Sequence, residues 1–377
     1  MIEQKGIGIY IHIPFCIRKC NYCDFCSFTG QDENIMREYT EQICLRIKHF
    51  AKNKKIYADT VYFGGGTPTL LPSDCICKIM EAVKDSFDLD ENAEITVECN
   101  PATIGRNGLL SIKKAGINRL SIGLQSANNN ELSKLGRLHT FEDFCNTFRD
   151  AREVGFDNIS VDLMYGIPDQ TSGSFKETLE RVCKLSPDHI SAYGLKIESG
   201  TDFYNNQNCL KLPDEDEEYA MYCICEDILK GYGYQRYEIS NFAKEGYPSK
   251  HNLHYWMLDD YVGFGVAAHS CFKGERYGNS RNIEDFLQGK DIVSERRSIP
   301  LEERICEYVM LRLRLEEGVS TQEYKKLSGR DFKSDYPQVE RFIAQGFLQE
   351  KESRISFTTK GFFVSNAILS DMLDFEE

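Results

Sequence analysis

The sequence predicts an α/β fold: an open, partial barrel of six β/α units, followed by a C-terminal α+β region. Between residues 7 and 195, short apolar runs of strand length alternate with longer amphipathic stretches. Repeated units of this kind build a parallel sheet with helical crossovers. Six units are fewer than a complete eight-stranded barrel requires, so we expect an open barrel. The predicted strands span residues 7–13, 59–63, 94–98, 119–124, 158–163 and 189–195.

The helices of these units and the later elements follow from the same periodicity. Beyond about residue 199 the alternation stops, and the last part of the chain reads as helix, helix and hairpin, the order of a small winged-helix-like module. We therefore predict three domains, over residues 1–200, 201–298 and 299–377. The predicted helices span 36–50, 73–87, 105–115, 141–154, 174–185, 216–230, 301–315 and 338–345, with a strand at 234–239 and a hairpin at 348–358.

Charge and composition exclude several classes of protein. The net charge of −14, from 45 Lys and Arg against 59 Asp and Glu, argues against a nucleic-acid partner, which needs a basic surface. No apolar run reaches the ~18–20 residues of a membrane span, so no integral membrane segment is expected. The start of the chain reads as a strand and not as a signal peptide. Together with fifteen cysteines, this predicts reduced thiols and a cytoplasmic protein.

Three cysteines stand in a spacing that suits a metal cluster. Cys16, Cys20 and Cys23 form a CxxxCxxC pattern directly after the first predicted strand. Thiolates are soft ligands that suit iron–sulfur clusters, and three of them can hold three corners of a [4Fe–4S] cubane. The fourth iron then stays open to an outside ligand. A zinc site is the alternative, with Cys26 or His12 as a fourth ligand.

The segment YIHIPFCIRKCNYCDF resembles the cluster loop of the radical SAM superfamily. In that superfamily the amino and carboxylate groups of S-adenosylmethionine (SAM) chelate the open iron, and the fold is a partial barrel. The resemblance therefore implies a [4Fe–4S] cluster on Cys16, Cys20 and Cys23, with SAM as its partner. It also implies that the aromatic residue before the third cysteine, Tyr22, packs near the adenine.

Further polar and glycine residues occur where this resemblance requires them. A Gly-Gly-Gly-Thr-Pro segment at residues 64–68 follows the second predicted strand, and glycines let the backbone approach a ligand closely. Polar residues also end the third, fourth and fifth strands, where the loops of a barrel build its active face. Any one of these polar residues could instead be a satisfied buried group. By resemblance, the residues that would line SAM sites are Tyr10, Gly65, Gly66, Thr67, Glu98, Gln125, Arg137 and Asp162.

Within the superfamily, SIGLQSANNNELSKLGRLHT and DLMYGIPDQT resemble the family of oxygen-independent coproporphyrinogen III oxidase, which includes HemW-like heme chaperones. Two departures from the oxidase favour the chaperones. The oxidase loop has a further cysteine where this chain has Phe25, with Cys26 one residue later, and only six residues precede the first predicted strand, too few for the oxidase lid. The oxidase activity, oxidative decarboxylation of propionate side chains by a deoxyadenosyl radical, remains the alternative, so no catalytic residue is assigned.

The segment His251-Asn252-Leu253-His254-Tyr255-Trp256 contains an HNxxYW pattern that resembles the signature of the heme chaperones. The resemblance implies heme binding by His251, Tyr255 and Trp256, because imidazole can ligate heme iron and aromatic rings can face a porphyrin. A structural His–Asn pair beside a core tryptophan is the alternative, and His254 or Cys271 could also be the ligand. The expected partners are heme and heme-accepting apo-proteins such as respiratory heme enzymes, and a dimer is left open.

Overall fold

The computed structural model describes residues 5–373, which form two main sheets surrounded by helices. Residues 1–4 and 374–377 of the predicted outer domains lie outside the described residues. The strands are β1 (Ile7–Ile13), β2 (Phe15–Cys16), β3 (Phe28–Thr29), β4 (Tyr57–Gly65), β5 (Asp88–Cys99), β6 (Arg119–Gln125), β7 (Asn158–Tyr165), β8 (His189–Gly194), β9 (Gln235–Arg236), β10 (Asn241–Ala243), β11 (Tyr261–Phe264), β12 (His269–Phe272), β13 (Glu275–Asn279), β14 (Val293–Ser298), β15 (Val319–Ser320), β16 (Leu348–Lys351) and β17 (Arg354–Phe357).

Most helices connect successive strands of the larger sheet or cover the C-terminal part. Two short 3-10 turns, Pro68–Leu70 and Gln207–Cys209, accompany them. The helices are α1 (Glu33–Ala51), α2 (Ser73–Ser86), α3 (Arg106–Ala115), α4 (Asn129–Lys134), α5 (Phe141–Glu153), α6 (Ser172–Leu185), α7 (Asp202–Asn205), α8 (Glu215–Gly231), α9 (Lys250–Trp256), α10 (Ile283–Leu287), α11 (Leu301–Leu313), α12 (Thr321–Ser328), α13 (Phe332–Asp335), α14 (Gln338–Ala344), α15 (Thr359–Phe363) and α16 (Ser365–Met372).

The larger sheet confirms the predicted fold class. Strands β1, β4, β5, β6, β7 and β8 lie side by side in this order, and each neighbouring pair is parallel. Five helical crossovers, α1, α2, α3, α5 and α6, connect these six strands, so the strands follow one another in space as they do in sequence. This is the six-stranded partial barrel that the alternation of apolar runs predicted.

Later strands extend this same sheet at both ends. Strand β11 adds to β1 in parallel, and β12, β13 and β14 continue outward in antiparallel pairs. At the other end, β10 and β9 add antiparallel to β8. The predicted strand at 234–239 is wrong in its second half, because Tyr237 N–H donates to the carbonyl of Asn241 and turns the chain there.

The two faces of the parallel strands differ in chemistry. On β1, Ile9, Ile11 and Ile13 are fully buried against the helical layer. The alternate residues face the other side, where Tyr10 stacks on Tyr62 of β4 with ring centroids 6.3 Å apart. The helices therefore cover an apolar face, and a polar interior is left for a site.

The C-terminal part has the predicted winged-helix-like order. Strands β15, β17 and β16 form a three-stranded antiparallel sheet beside α11, α12 and α14. The hairpin of β16 and β17 lies where the sequence predicted it, whereas the two-residue strand β15 was too short to be predicted. Within residues 5–373, no helix combines the length and the apolar character that a membrane crossing requires.

Candidate cofactor site at the carboxyl ends of the parallel strands

A cavity of about 340 Å³ lies at the carboxyl ends of the parallel strands. The loops that follow these strands build its walls, as they do in complete barrels. It brings together most of the residues that the sequence analysis singled out. Its walls include Cys16, Cys20, Tyr22, Cys23, Gly65, Gly66, Thr67, Glu98, Gln125, Arg137 and Asp162.

The cysteine loop leaves β1 and is fixed at both ends. Its start and end pair as the short parallel strands β2 and β3, with Phe15 opposite Phe28. Inside the loop, the N–H of Cys23 donates to the carbonyl of Cys20 at 3.2 Å and forms a turn. Asn21 anchors this turn, because its side-chain amide donates to the carbonyl of Lys134 at 2.8 Å. The three cysteines are therefore presented by a loop with a defined conformation.

The three thiols share one partly buried environment. Burial raises the pKa of Cys16, and it raises the pKa of Cys23 to about 11. In the part of the chain that the structure describes, no three Cys, His, Asp or Glu side chains are gathered closely enough for a single metal ion. Three soft ligands around one cavity mouth fit the corners of a [4Fe–4S] cluster, whose binding would displace the thiol protons.

The glycine-rich segment packs directly against the cysteine loop. The N–H of Gly66 donates to the carbonyl of Ile13 at 2.9 Å. A Cβ at Gly66 would lie 3.0 Å from the Cys16 sulfur, and a Cβ at Gly65 would lie 2.6 Å from the His12 ring. Gly65 also has a φ of +117°, a conformation that favours glycine. Glycines are therefore required here for the close approach of the two loops.

Glu98 carries a perturbed carboxyl group inside the barrel. It accepts hydrogen bonds from the Tyr62 hydroxyl at 2.9 Å and from the N–H of Gly65 at 3.1 Å. Burial raises its pKa to about 7, despite these two hydrogen bonds and with a further contribution from Asp162. A buried carboxyl of this kind becomes a strong acceptor when a cationic group of a ligand comes to lie beside it.

Asp162 is the second buried carboxyl group of the cavity. The hydroxyl of Ser121 donates to both of its oxygens, at 3.1 and 3.2 Å. Burial raises its pKa although Ser121 and Ser191 hydrogen bonds oppose the shift. Asp162 and Glu98 therefore provide two acceptor groups on different strands of the same polar interior.

Arg137 is one of the cationic side chains on the cavity wall, with Arg18, Lys19 and Arg119. Its guanidinium donates to the Asn100 side-chain oxygen at 2.7 Å and to the Gly123 carbonyl at 2.6 Å, and it lies 3.6 Å from the Cys20 sulfur. Its Nε is buried without a hydrogen-bond partner. A buried, unsatisfied guanidinium N–H fits an anionic ligand group such as a carboxylate. Gln125, at the end of β6 with a φ of +73°, lies beside this network.

The two predicted tyrosines lie in different places. Tyr22 lines the cavity beside Arg137. Tyr10 lies behind the cavity wall, where its hydroxyl hydrogen-bonds Nδ1 of His12 at 3.0 Å, and it lines a second cavity on the side of the barrel. Tyr10 is therefore not on the wall of the first cavity, but its ring stacks on Tyr62, whose hydroxyl donates to Glu98.

The HNxxYW segment forms α9, which lies against the strands below the cavity. His251 is 1% exposed, and both ring nitrogens are used: Nδ1 bonds the Thr60 hydroxyl and Nε2 bonds the Tyr255 hydroxyl, each at 2.8 Å. Burial lowers the pKa of His251 well below its usual value, so the ring is neutral. Of this segment, Asn252 reaches the cavity wall, whereas Trp256 is half-buried outside it.

The neighbouring His254 has an electrostatic role. Its Nε2 lies 2.7 Å from Asp59 and its Nδ1 lies 3.4 Å from Asp259. Burial lowers its pKa, but hydrogen bonds and charge interactions with these two carboxylates outweigh burial and raise the pKa to about 9. His254 is therefore a charged, ion-paired residue and is not available as an iron ligand in this conformation.

Several residues of the cavity were missed by the sequence analysis. Asn100 bridges Thr67 and Arg137, with its amide 2.7 Å from the Thr67 hydroxyl. The Tyr62 hydroxyl donates to Glu98, and the Ser121 hydroxyl donates to Asp162. A signal was present, because Asn100 follows Glu98 by two residues and Ser121 alternates with apolar neighbours on its strand. Pairing each of them with its partner required the register of the sheet.

Comparison with known proteins agrees with this geometry. Residues 10–182 match the family described as the Radical SAM superfamily, and residues 299–364 match the HemN C-terminal domain. Among curated proteins, the heme chaperone HemW of Bacillus subtilis is 36% identical over 97% of this chain and 98% of its own length. The heme chaperone HemW of Escherichia coli is 33% identical over 98% of both chains.

One solved structure resembles nearly the whole chain. Coproporphyrinogen III oxidase (HemN) from Escherichia coli, described as a radical SAM enzyme, has a TM-score of 0.85 with 23% sequence identity. The similarity covers 99% of this chain and 91% of that chain. It shows that the two chains share a fold.

Proposed function

This chain belongs to the HemW family of radical SAM proteins, and we propose that it binds heme and delivers it to apo-proteins. The observation that carries the proposal is the similarity to proteins named heme chaperone over nearly the full length of both chains. A similarity of this extent includes the HNxxYW segment as well as the barrel. It therefore covers more than the common radical SAM core.

We propose that the cavity holds a [4Fe–4S] cluster on Cys16, Cys20 and Cys23, with SAM beside it. When bound, the cluster would supply an electron and SAM would supply an adenosyl group. The chain's own residues would orient the SAM molecule: the two buried carboxyls, Glu98 and Asp162, accept hydrogen bonds, and Arg137 holds an anionic group. The remaining residues proposed to line the SAM sites are Tyr10, Tyr22, Gly65, Gly66, Thr67 and Gln125.

We also propose that the three predicted domains have different functions. Residues 1–200 would hold the cluster, residues 201–298 would contribute to heme binding through His251, Tyr255 and Trp256, and residues 299–377 would contact apo-proteins. A cytoplasmic location is part of the proposal, and it is supported by the fifteen cysteines, a composition that suits a reducing compartment. Gel filtration of the reconstituted protein would test whether it forms a dimer.

The experiment is anaerobic reconstitution with iron and sulfide, followed by a heme titration beside a coproporphyrinogen III assay with SAM and a reductant. We expect stoichiometric heme binding without porphyrinogen turnover. Turnover of coproporphyrinogen III would contradict the proposal and assign the chain to the decarboxylation reaction. Failure of the reconstituted protein to take up heme would also contradict it.

A further inference from the structure

A second cavity, of about 320 Å³, opens on the side of the barrel. Its walls come from the cluster loop, from β1, from the last turn of α9 and from the β11–β13 extension. We call it the side cavity and define it by Phe25, Cys26, Tyr255, Tyr261, His269 and Arg281. Phe25 lines both cavities, and Tyr10, one of the residues proposed for SAM, also lines the side cavity.

His269 is an exposed imidazole on the wall of the side cavity. It begins β12 and pairs with Gly278, and a Cβ at Gly278 would lie 3.0 Å from its Cε1, so the ring lies flat against this glycine. Within residues 5–373, its ring makes no hydrogen bond or ion pair. His12 and His251, by contrast, have both ring nitrogens engaged by hydrogen bonds. His269 therefore offers an accessible nitrogen for an iron atom.

Arg281 gives the side cavity a positive charge, and Asp24 on the same wall is its acidic neighbour. The Arg281 side chain lines the same cavity wall as His12 and Cys26. Among the described side chains, none forms an ion pair or hydrogen bond with it. In a chain with a net charge of −14, a free arginine on a cavity wall favours an anionic group such as a carboxylate.

Aromatic surfaces complete the side cavity. Phe25 is 63% exposed although it belongs to the cluster loop. Tyr255 and Tyr261 meet edge to face with ring centroids 4.7 Å apart. A planar ligand with an apolar face could pack against such rings.

We propose that heme docks in the side cavity, with His269 as the iron ligand, a propionate on Arg281 and Phe25 against the porphyrin face. The proposal rests on the heme-binding function proposed above and places the bound heme in the side cavity. It gives the HNxxYW segment an indirect role, because the His251 imidazole fixes the Tyr255 hydroxyl at 2.8 Å and so holds part of the cavity wall. The shared residue Phe25 would couple heme binding to the conformation of the cluster loop.

The test is a heme titration of the reconstituted full chain and of three variants. For His269→Ala we expect at least a tenfold higher Kd and loss of the axial-ligand absorption spectrum. For Arg281→Met we expect about a tenfold higher Kd, the effect of losing one charge-assisted hydrogen bond. His49→Ala is the matched control, because His49 is also an exposed imidazole but lines a different groove on α1, and it should leave binding unchanged.

A second variant keeps the test decisive if His269→Ala folds poorly. His269→Met retains a ligand atom, so we expect retained binding with a changed axial-ligand spectrum. Heme binding to the wild type that neither His269 variant alters would overturn the side-cavity proposal and leave the heme-binding function intact. Loss of binding in His49→Ala alone would move the site to the α1 groove. A wild type without heme binding would overturn both proposals.

Discussion

The three cysteines of the cluster loop differ from the other cysteines in their surroundings. Cys75, Cys183 and Cys225 lie buried among apolar side chains of helices, where a thiol acts as a small core group. Cys16, Cys20 and Cys23 instead lie around the cavity at the strand ends, whose walls also carry charged side chains such as Glu98, Arg137 and Asp162. This difference, and not the number of cysteines, distinguishes the three proposed cluster ligands from the other cysteines.

We expect Cys16→Ser, Cys20→Ser and Cys23→Ser each to abolish cluster assembly, because a hydroxyl is a poor replacement for a thiolate. The measurement is iron and sulfide content after anaerobic reconstitution. Cys77→Ser, on α2, is the matched control, and Cys26→Ser separates a cluster from a four-ligand zinc site. If Cys26→Ser removed the metal while a single-ligand variant retained it, the assignment of the three ligands would be wrong.

Glu98 predicts a specific pH dependence of stability. Its pKa is raised from 4.5 to about 7, so its contribution to the stability of the cofactor-free protein is complete below pH 4.5 and is lost as the pH rises through about 7. The loss amounts to about 3 kcal/mol. Glu98→Gln should remove this part of the pH profile, as denaturant unfolding between pH 5 and 8 would measure. An unchanged profile in the variant would show that Glu98 is already ionised in the folded protein.

Single residues could be predicted from the sequence where their pattern is local. The cysteine loop and the glycine-rich segment were found in this way, because the residues of each pattern lie within a few positions of one another. The burial of His251 could not, because it depends on Thr60, a residue 191 positions away in the chain. The sequence also could not predict which cavity Tyr10 lines, because this depends on the orientation of its side chain inside the barrel.

At the scale of elements, a buried carboxylate and the Ser249 hydroxyl together cap the N-terminus of α9. Glu94 of β5 is buried, and it accepts hydrogen bonds from the N–H groups of Lys250 and His251, both at 3.1 Å. These are N–H groups of the first turn of α9, which have no partner within the helix. Glu94 therefore joins the HNxxYW segment to the parallel sheet.

We expect Glu94→Ala to lower the free energy of unfolding by about 1–3 kcal/mol, because it leaves buried N–H groups without an acceptor. Chemical denaturation measures this loss. Glu91→Ala, an exposed glutamate on the same strand, should change stability by less than about 0.5 kcal/mol. Equal effects of the two substitutions would mean that Glu94 does not anchor α9.

The elements themselves were predictable to different degrees. Strand β1 has the predicted bounds, β4 to β7 were predicted too short, and β8 was predicted one residue too long. Apolar alternation identifies the buried centre of a strand better than its ends. Strands β11 to β14 were not predicted. They are short, and β11 is completed by pairing with β1, about 250 residues earlier, a contact without a local signal.

At the scale of the whole molecule, Arg236 links the barrel extension to the C-terminal module. Its side chain is 5% exposed, and it pairs with Glu226 of α8 at 3.2 Å and with Glu316 at 2.9 Å. The guanidinium also lies 4.4 Å from the centre of the Phe362 ring. One buried cation thus touches three separate parts of the chain.

We expect Arg236→Met to lower the free energy of unfolding by about 1.5–3 kcal/mol, because it removes charge-assisted hydrogen bonds to two partly exposed carboxylates. Arg354→Met is the matched control, since its pair with Glu317 is exposed and is worth at most ~1 kcal/mol. Denaturant unfolding compares them. If the two variants were equally stable, the link between α8 and the C-terminal module would not depend on Arg236.

Delivery of heme is the central claim, and a transfer assay tests it most directly. The heme-loaded protein, freed of unbound heme, is mixed with increasing amounts of a heme-free respiratory protein, and transfer is followed by absorbance. Direct delivery predicts a transfer rate that rises with the concentration of the acceptor, because the two proteins must meet. A rate independent of acceptor concentration would mean passive release of heme, and would contradict the account of this chain as a chaperone.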